Sequence, residues 1–339
     1  MRGGLHGTKK KETDMKKLLA FIIISTAMVS CYEDYILDNT YTSIYFPYQN
    51  DVRTFVVGEQ TAIEVGAALG GVMENQVKRY VTFSLNNALI TPELLAEMQS
   101  STEPHIQDAT VPVTTLLPMP SDYYTLSNPN TMVIKAGTNM GSVVVQLDWT
   151  KFLNDSLNTR YATYALPFYI DEADADSILE PKRHAVIAFK FENMLYGNYW
   201  HGGQAIIERP SMPDSVFTYK TTIPTAETNI WVLRTVGPNT LSCNGYLNET
   251  SGSKNEITLV LNGSTVFVSA SSGATFTIEP DGVSDFNQAR LLQNRKIFLK
   301  YKYTDPGNGF TYHCTDTLTF RNRIRDGVNE WMDEDPTHY

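Results

Sequence analysis

The chain has 339 residues, with 27 lysines and arginines against 37 aspartates and glutamates, for a formal net charge of −10. So acidic a chain has no electrostatic reason to seek nucleic acid, because affinity for a phosphate backbone comes largely from cationic side chains that release counterions. A hydrophobic content of 42% with 19 tyrosines and 15 phenylalanines argues against disorder and fits an aromatic-rich globular β protein long enough for two domains.

Residues 1–14 (MRGGLHGTKKKETD) precede a better start at Met15 and read as an upstream extension of the gene. Residues 15–30 then follow the layout of a secretory signal peptide: Lys16 and Lys17 in front, an apolar run from Leu18 to Ile24, and small residues before Cys31. The run is too short for a transmembrane helix, which needs about 20 apolar residues. Met28-Val29-Ser30-Cys31 resembles a relaxed bacterial lipobox. That resemblance implies cleavage before Cys31, acylation of its thiol with palmitate-type chains, and membrane attachment through the new N-terminus. An ordinary signal peptide with an incidental cysteine is the alternative. Without residues 1–30 the mature chain carries 21 basic and 35 acidic groups, a net −14. Tyr32-Glu33-Asp34 opens a tether over residues 31–40 and resembles the acidic export signal of Bacteroidota outer-membrane lipoproteins; a plain solvated linker is the other reading.

Between residues 41 and 193, runs rich in β-branched and aromatic residues (TSIYF, RTFVV, TAIEVGAAL, KRYVTFSL, TMVIKA, SVVVQLDW, YALPFYI, HAVIAFKF) recur between turn residues. This spacing predicts an immunoglobulin-like β-sandwich. One stretch, TPELLAEMQ over residues 91–99, predicts a short helix, with Thr91 as cap and Pro92 in the first turn, inserted between strands. Residues 194–339 supply a second set from YGNYWHGG to TYHCTDTLTFRN, with hairpin turns at Asn262-Gly263 and at Pro306-Gly307-Asn308-Gly309. About eight antiparallel strands in this length predict a small lipocalin- or calycin-like barrel or a closed sandwich, either of which limits exposed edges. The fold class is therefore all-β, with the domain boundary near residues 193–197.

The run IKAGTNMGSVVVQLDW followed by ALPFYI resembles the N-terminal sandwich (DUF1735 type) of Bacteroidota surface lipoproteins. LLQNRKIFLKYKYTD with DTLTFRNRIRDGVNEW resembles the C-terminal domain (DUF4361 type) paired with it in lipoproteins of polysaccharide-utilisation loci. The resemblance implies surface glycan capture or adhesion and carries over no catalytic residue.

The acidic run DEADADSILE, residues 171–180, comes nearest to catalytic chemistry, since some family-18 glycosidases use a DxxDxDxE string. Here Ile178 stands where the acid should be, and Glu180 lies two residues late. A two-residue shift along a strand moves a carboxyl by about 7 Å, outside proton-transfer reach. The run reads as a solvated turn, and no catalytic residue is assigned. The six histidines are scattered without metal-ligand spacing, no phosphate-cradling loop occurs, and the expectation is no metal and no cofactor. Glycan recognition needs flat aromatic faces flanked by amides, carboxylates or guanidinium groups. Trp149, Trp200, Trp231, Tyr199, Tyr246 and Tyr312 are candidates. The leading set is Tyr199, Trp200, His201 and Trp231, because Gly202 and Gly203 beside it would leave a ring accessible, while Trp331 and the FRNRIRDG run read as packing and charge pairing. With Cys31 lipidated, Cys243 and Cys314 form a candidate disulfide. Asp-Ser/Thr-hydrophobe triplets make Ser156, Ser177, Ser215 and Thr317 candidate O-glycosylation sites. The expected function is a non-catalytic, outward-facing outer-membrane lipoprotein whose partner is a glycan, or alternatively a surface protein bound in adhesion or assembly.

Overall fold

Alternating apolar and polar residues put one face of each strand into a core and the other into solvent. The computed structural model describes residues 41–59, 62–219, 230–246, 249–250 and 256–330. The signal peptide, Cys31, the tether and Trp331 lie outside the described residues, and so does the Tyr246 side chain. No helix among the described residues is long and apolar enough to cross a membrane.

The first domain contains β1 (Ser43–Tyr45), β2 (Asn50–Val57), β3 (Ala62–Gly70), β4 (Arg79–Leu85), β5 (Leu117–Pro118), β6 (Tyr124–Leu126), β7 (Thr131–Ile134), β8 (Met140–Leu147), β9 (Tyr164–Ala173), β10 (Ser177–Ile178) and β11 (His184–Asn193). One sheet runs β10-β1-β3-β8-β6; the other runs β2-β11-β9-β4-β7, with β5 beside β9. Val65, Val143 and Val145 from the first sheet meet Phe55, Phe83, Phe168 and Phe189 from the second in one core. The pairings of β1 with β10 and β2 with β11 are parallel.

Three short helices join this sandwich: α1 (Pro92–Gln99), α2 (Pro104–Thr110) and α3 (Trp149–Leu153). Thr91 caps α1 as the sequence predicts, its hydroxyl accepting from the Leu94 amide at 3.2 Å. The helix is more than an insertion. With α2 it covers the outer face of the second sheet, where Leu94, Leu95, Met98 and Ile106 pack on Val52, Ala165, Val186 and Ala188. Strands β9 and β11 are thus buried on both faces, and small residues on the outer side let the helices approach. This explains why YALPFYI and HAVIAFKF read as nearly continuous apolar runs.

The second domain contains β12 (Gly197–Arg209), β13 (Met212–Tyr219), β14 (Ile230–Gly237), β15 (Thr240–Cys243), β16 (Gly245–Tyr246), β17 (Glu249–Thr250), β18 (Ile257–Asn262), β19 (Thr265–Ala270), β20 (Ile278–Pro280), β21 (Asp285–Phe286), β22 (Lys296–Thr304), β23 (Thr311–Arg325) and β24 (Val328–Glu330). The path β12-β14-β15-β18-β19-β21-β22-β23 is antiparallel throughout, and β23 returns to pair with β12 from Asn322 to Thr311. Of the two expected forms, the structure is the closed barrel. Its interior is filled by side chains that include Tyr199, Trp231, Leu241, Ile257, Leu299 and Leu318, as a barrel of this strand number requires.

The domains are joined by residues 194–196 and fastened by charge. Glu59, in the turn after β2, has an almost wholly buried side chain. Its carboxylate lies 2.7 Å from Arg295 Nη2 and 2.7 Å from Arg323 Nη2. Arg295 also donates to the Met194 carbonyl at 2.6 Å, and Arg323 Nε to Glu330 at 2.6 Å. Burial acts to raise the Glu59 carboxyl, yet Arg323 and Arg295 together hold it below the usual glutamate value. Val56 and Leu195 complete the joint by packing into the barrel core.

Replacing Glu59 strands two buried guanidinium groups. Glu59→Ala is therefore expected to cost about 3–5 kcal/mol in urea denaturation and to separate the unfolding of the two domains. Because the carboxyl is depressed in the folded state, its contribution is full above the unfolded value of about 4.3 and fades as pH falls through the folded value. The wild type should lose stability in that acid window and Glu59→Gln should lose less. A variant with the wild-type transition and acid profile would contradict the assignment.

Candidate functional site

The YWH triplet lies on β12, where alternation sends Tyr199 and His201 into the barrel and leaves Trp200 outside. Tyr199 and Trp231 are fully buried and His201 is 1% exposed. The expectation that these rings form an open binding surface is therefore corrected. Gly202 and Gly203 do not free a ring. At Gly203, with φ of +144°, an added Cβ would lie 2.2 Å from the Thr315 carbonyl oxygen, so glycine is there to let β12 and β23 close. Only Trp200 faces outward, half-buried, with the Arg321 guanidinium 4.9 Å from its ring centroid.

Inside the barrel His201 is sandwiched between Trp231 (centroids 4.0 Å, 16°) and Tyr219 (4.9 Å, 27°). Its Nε2 lies 3.1 Å from Asp316 Oδ2. The same carboxylate accepts hydrogen bonds from the Tyr219 and Tyr301 hydroxyls, the latter at 2.9 Å. Burial, then the charge of Asp316, pushes the Tyr219 hydroxyl and the Cys314 thiol far up. The group acts as a polar core that fixes which residues meet across the barrel.

Cys243 and Cys314 are both buried and are not joined in a disulfide. Three strand steps separate β15 from β23 along the path through β14 and β12, and at about 4.8 Å per step that exceeds disulfide reach. The candidate disulfide is thus absent. Of the four O-glycosylation candidates, Ser156 is exposed in a bend, while Ser177 and Ser215 are half-buried on β10 and β13. Thr317 sits within β23 between β12 and β22, and its Asp316 neighbour is 1% exposed, so a modifying enzyme cannot read that triplet in the folded chain. The acidic run is held locally. Asp171 accepts from the Ser84 hydroxyl at 3.0 Å, Asp174 from the Tyr80 amide at 2.9 Å and Asp176 from the Thr42 amide at 2.7 Å. These carboxylates pin neighbouring strands and do not converge on a cleft.

A cleft of about 500 Å³ opens instead between the domains. The first domain contributes His105 from α2 with Arg160 and Tyr161 from the loop before β9; the barrel contributes Tyr196, Asn198 and Thr235. Arg160 lies 4.5 Å over the Tyr161 ring, donates to the Tyr161 hydroxyl, and reaches across to the Thr235 carbonyl at 2.7 Å. On the same walls Lys190 meets Glu192 at 2.6 Å, and Arg323 lies 5.0 Å from the Tyr196 ring centroid. Four buried polar atoms of cleft residues have no hydrogen-bond partner: Arg160 Nε, His105 Nδ1, the Tyr196 hydroxyl and Asp326 Oδ1. Burial raises the Asp326 carboxyl and the Tyr196 hydroxyl. Buried polar groups in native proteins are nearly always paired, so these four atoms are open to a partner at the cleft, while Tyr199, His201 and Trp231 carry unpartnered atoms inside the barrel. Sequence reading missed it because NTRYATY looks like an ordinary polar loop; only the fold brings it against β14.

A protein-family model described as "-like, N-terminal domain" matches residues 37–177. A Bacteroides ovatus protein of unknown function solved by structural genomics is 18% identical, with 86% of this chain and 98% of that chain covered and a TM-score of 0.60. That likeness shows the shared fold across both domains. A multidomain Bacteroides ovatus protein including DUF1735 is 14% identical over 86% of this chain and all of its own length, with a TM-score of 0.40. No curated protein matches the chain.

The buried placement of Trp231 has a direct consequence. Trp231→Ala should lower stability to urea by about 3–5 kcal/mol. A loss under about 1 kcal/mol would mean that the ring is a surface group and not core.

Proposed function

We propose that the chain is one of the Bacteroidota two-domain proteins with an N-terminal domain of DUF1735 type, and that it is a non-catalytic, outward-facing outer-membrane lipoprotein that binds glycans in support of polysaccharide capture; the family model over residues 37–177 and the fold shared with the Bacteroides ovatus protein support this reading. Membrane attachment is through acyl chains on Cys31, supported by the lysines, apolar run and lipobox-like box that precede it. The observation that carries the binding reading is the interdomain cleft. It joins the partly exposed Tyr161 ring with a guanidinium, an amide and several unpaired polar atoms, a mixture suited to the apolar faces and many hydroxyls of sugars.

One observation favours the second reading, in which the partner is a surface protein. Among the described residues, strand β13 ends the strand order of its sheet, and its Met212, Val216 and Phe217 are 50%, 64% and 43% exposed. An apolar edge of this kind is open to strand addition by a partner.

Two measurements test the proposal. Labelled palmitate fed to the producing cells should enter the wild-type protein and not Cys31→Ser; equal labelling of both would remove the anchor. On a glycan array and in calorimetry, the mature chain should bind at least one polysaccharide, and Tyr161→Ala should weaken that binding by roughly tenfold, the loss of one buried aromatic contact. Folded protein that binds no glycan, yet captures a surface protein through Val216, would shift the conclusion to adhesion.

A further inference from the structure

A second concavity of about 520 Å³ lies at the same junction, between α3 and the turn that joins β14 to β15. The sandwich contributes Trp149, Thr150 and Asn154; the barrel contributes Pro238, Asn239 and Thr240. Trp149 is the first residue of α3, which is fixed by Asp148, whose carboxylate accepts from the Lys151 amide at 3.2 Å. Phe55 of the sandwich core meets the indole in a T-shaped contact, with ring centroids 5.9 Å apart at 75°. The ring is therefore held in place while the residue stays partly exposed. Asn154 Nδ2 donates to the Thr150 carbonyl at 2.9 Å, which sets the side-chain amide in one orientation. Across the groove, the β14–β15 turn is tied to the sandwich by Asn193, which donates to the Pro238 carbonyl at 2.7 Å.

The lining differs in kind from that of the cleft at Arg160 and Tyr161. It has one large aromatic side chain, Trp149, which also packs on the sandwich core, with amides, hydroxyls and Leu153, and no Asp, Glu, Lys or Arg. An indole covers the C–H face of a pyranose ring well, and side-chain amides and hydroxyls exchange hydrogen bonds with its hydroxyls. An anionic sugar would find no cation here, and leaving its charge unpaired would be costly.

We propose that this groove is a subsite for an uncharged hexose unit of a glycan, with Trp149 as the stacking platform. The assignment rests on the glycan-binding reading above and deepens it by naming the residue and the sugar class. Because the groove has one wall from each domain, it is complete only while the joint at Glu59 and Asn193 is closed.

The test uses the mature chain with both domains, labelled with ¹⁵N. The indole N–H signal absent from Trp149→Phe identifies Trp149 among the four tryptophans. Cellohexaose, laminarihexaose and mannohexaose are titrated in turn, with oligogalacturonate as the charged counterpart, and calorimetry is run in parallel. The expected result is that at least one neutral hexaose moves the Trp149 signal, that Trp149→Ala weakens its binding by roughly tenfold or more, and that Trp149→Phe retains most of it. A neutral hexaose that binds by calorimetry and leaves the Trp149 signal still would overturn the subsite and leave glycan binding intact. Binding confined to oligogalacturonate would overturn the uncharged class. Absence of binding by any of the four and on the glycan array would overturn the subsite and the function together.

Discussion

A single buried carboxylate holds this molecule in its working shape. Glu59 leaves the sandwich at the end of β2 and enters the barrel domain between Arg295 and Arg323, both almost wholly buried. Taking these charges out of water is expensive, so the arrangement persists only because each group is met on several sides. Arg323 is shared with Glu330, and Arg295 with the Met194 carbonyl. Such a pairing adds little net stability over an apolar contact, but it permits very few relative orientations of the two domains. The adjoining hydrogen bonds of Asn193 and Arg160 to the β14–β15 hairpin fall into place under the same constraint.

The proposed binding function then rests on the junction more than on either domain. The barrel interior, where small barrels of this class can hold a ligand, is filled by the stacked rings of Trp231, His201 and Tyr219 around Asp316. Both concavities discussed above combine a sandwich wall with a barrel wall. In the proposed reading, a lipid anchor on Cys31 would attach the two domains to the membrane through residues 31–40. In the alternative reading, the exposed apolar residues of β13 would be the surface for assembly.

Much of the fold is legible in the sequence because strand periodicity and turn chemistry are local signals. The alternation in SVVVQLDW, the cap at Thr91 and the turn near Asn262-Gly263 follow from residues within a few positions of one another. The FRNRIRDG run is equally legible as charge pairing, and Arg323 and Arg325 do meet Glu330, although its main acidic partner lies 264 positions away. What sequence could not supply was the inside and outside of β12. The same alternation fits either face until closure with β23 decides it, and so Tyr199, His201 and Trp231 read as surface rings when they are core. Arg160 and Tyr161 escaped notice for the opposite reason: their importance comes only from what the other domain places opposite them.

The most direct test of a functional junction is hydrogen–deuterium exchange of the mature chain, alone and with a glycan that it binds. The account predicts new protection in residues 149–161 and 230–240, on the two sides of the joint, with the barrel interior unchanged. Protection confined to β13, or to the sandwich far from the barrel, would contradict it.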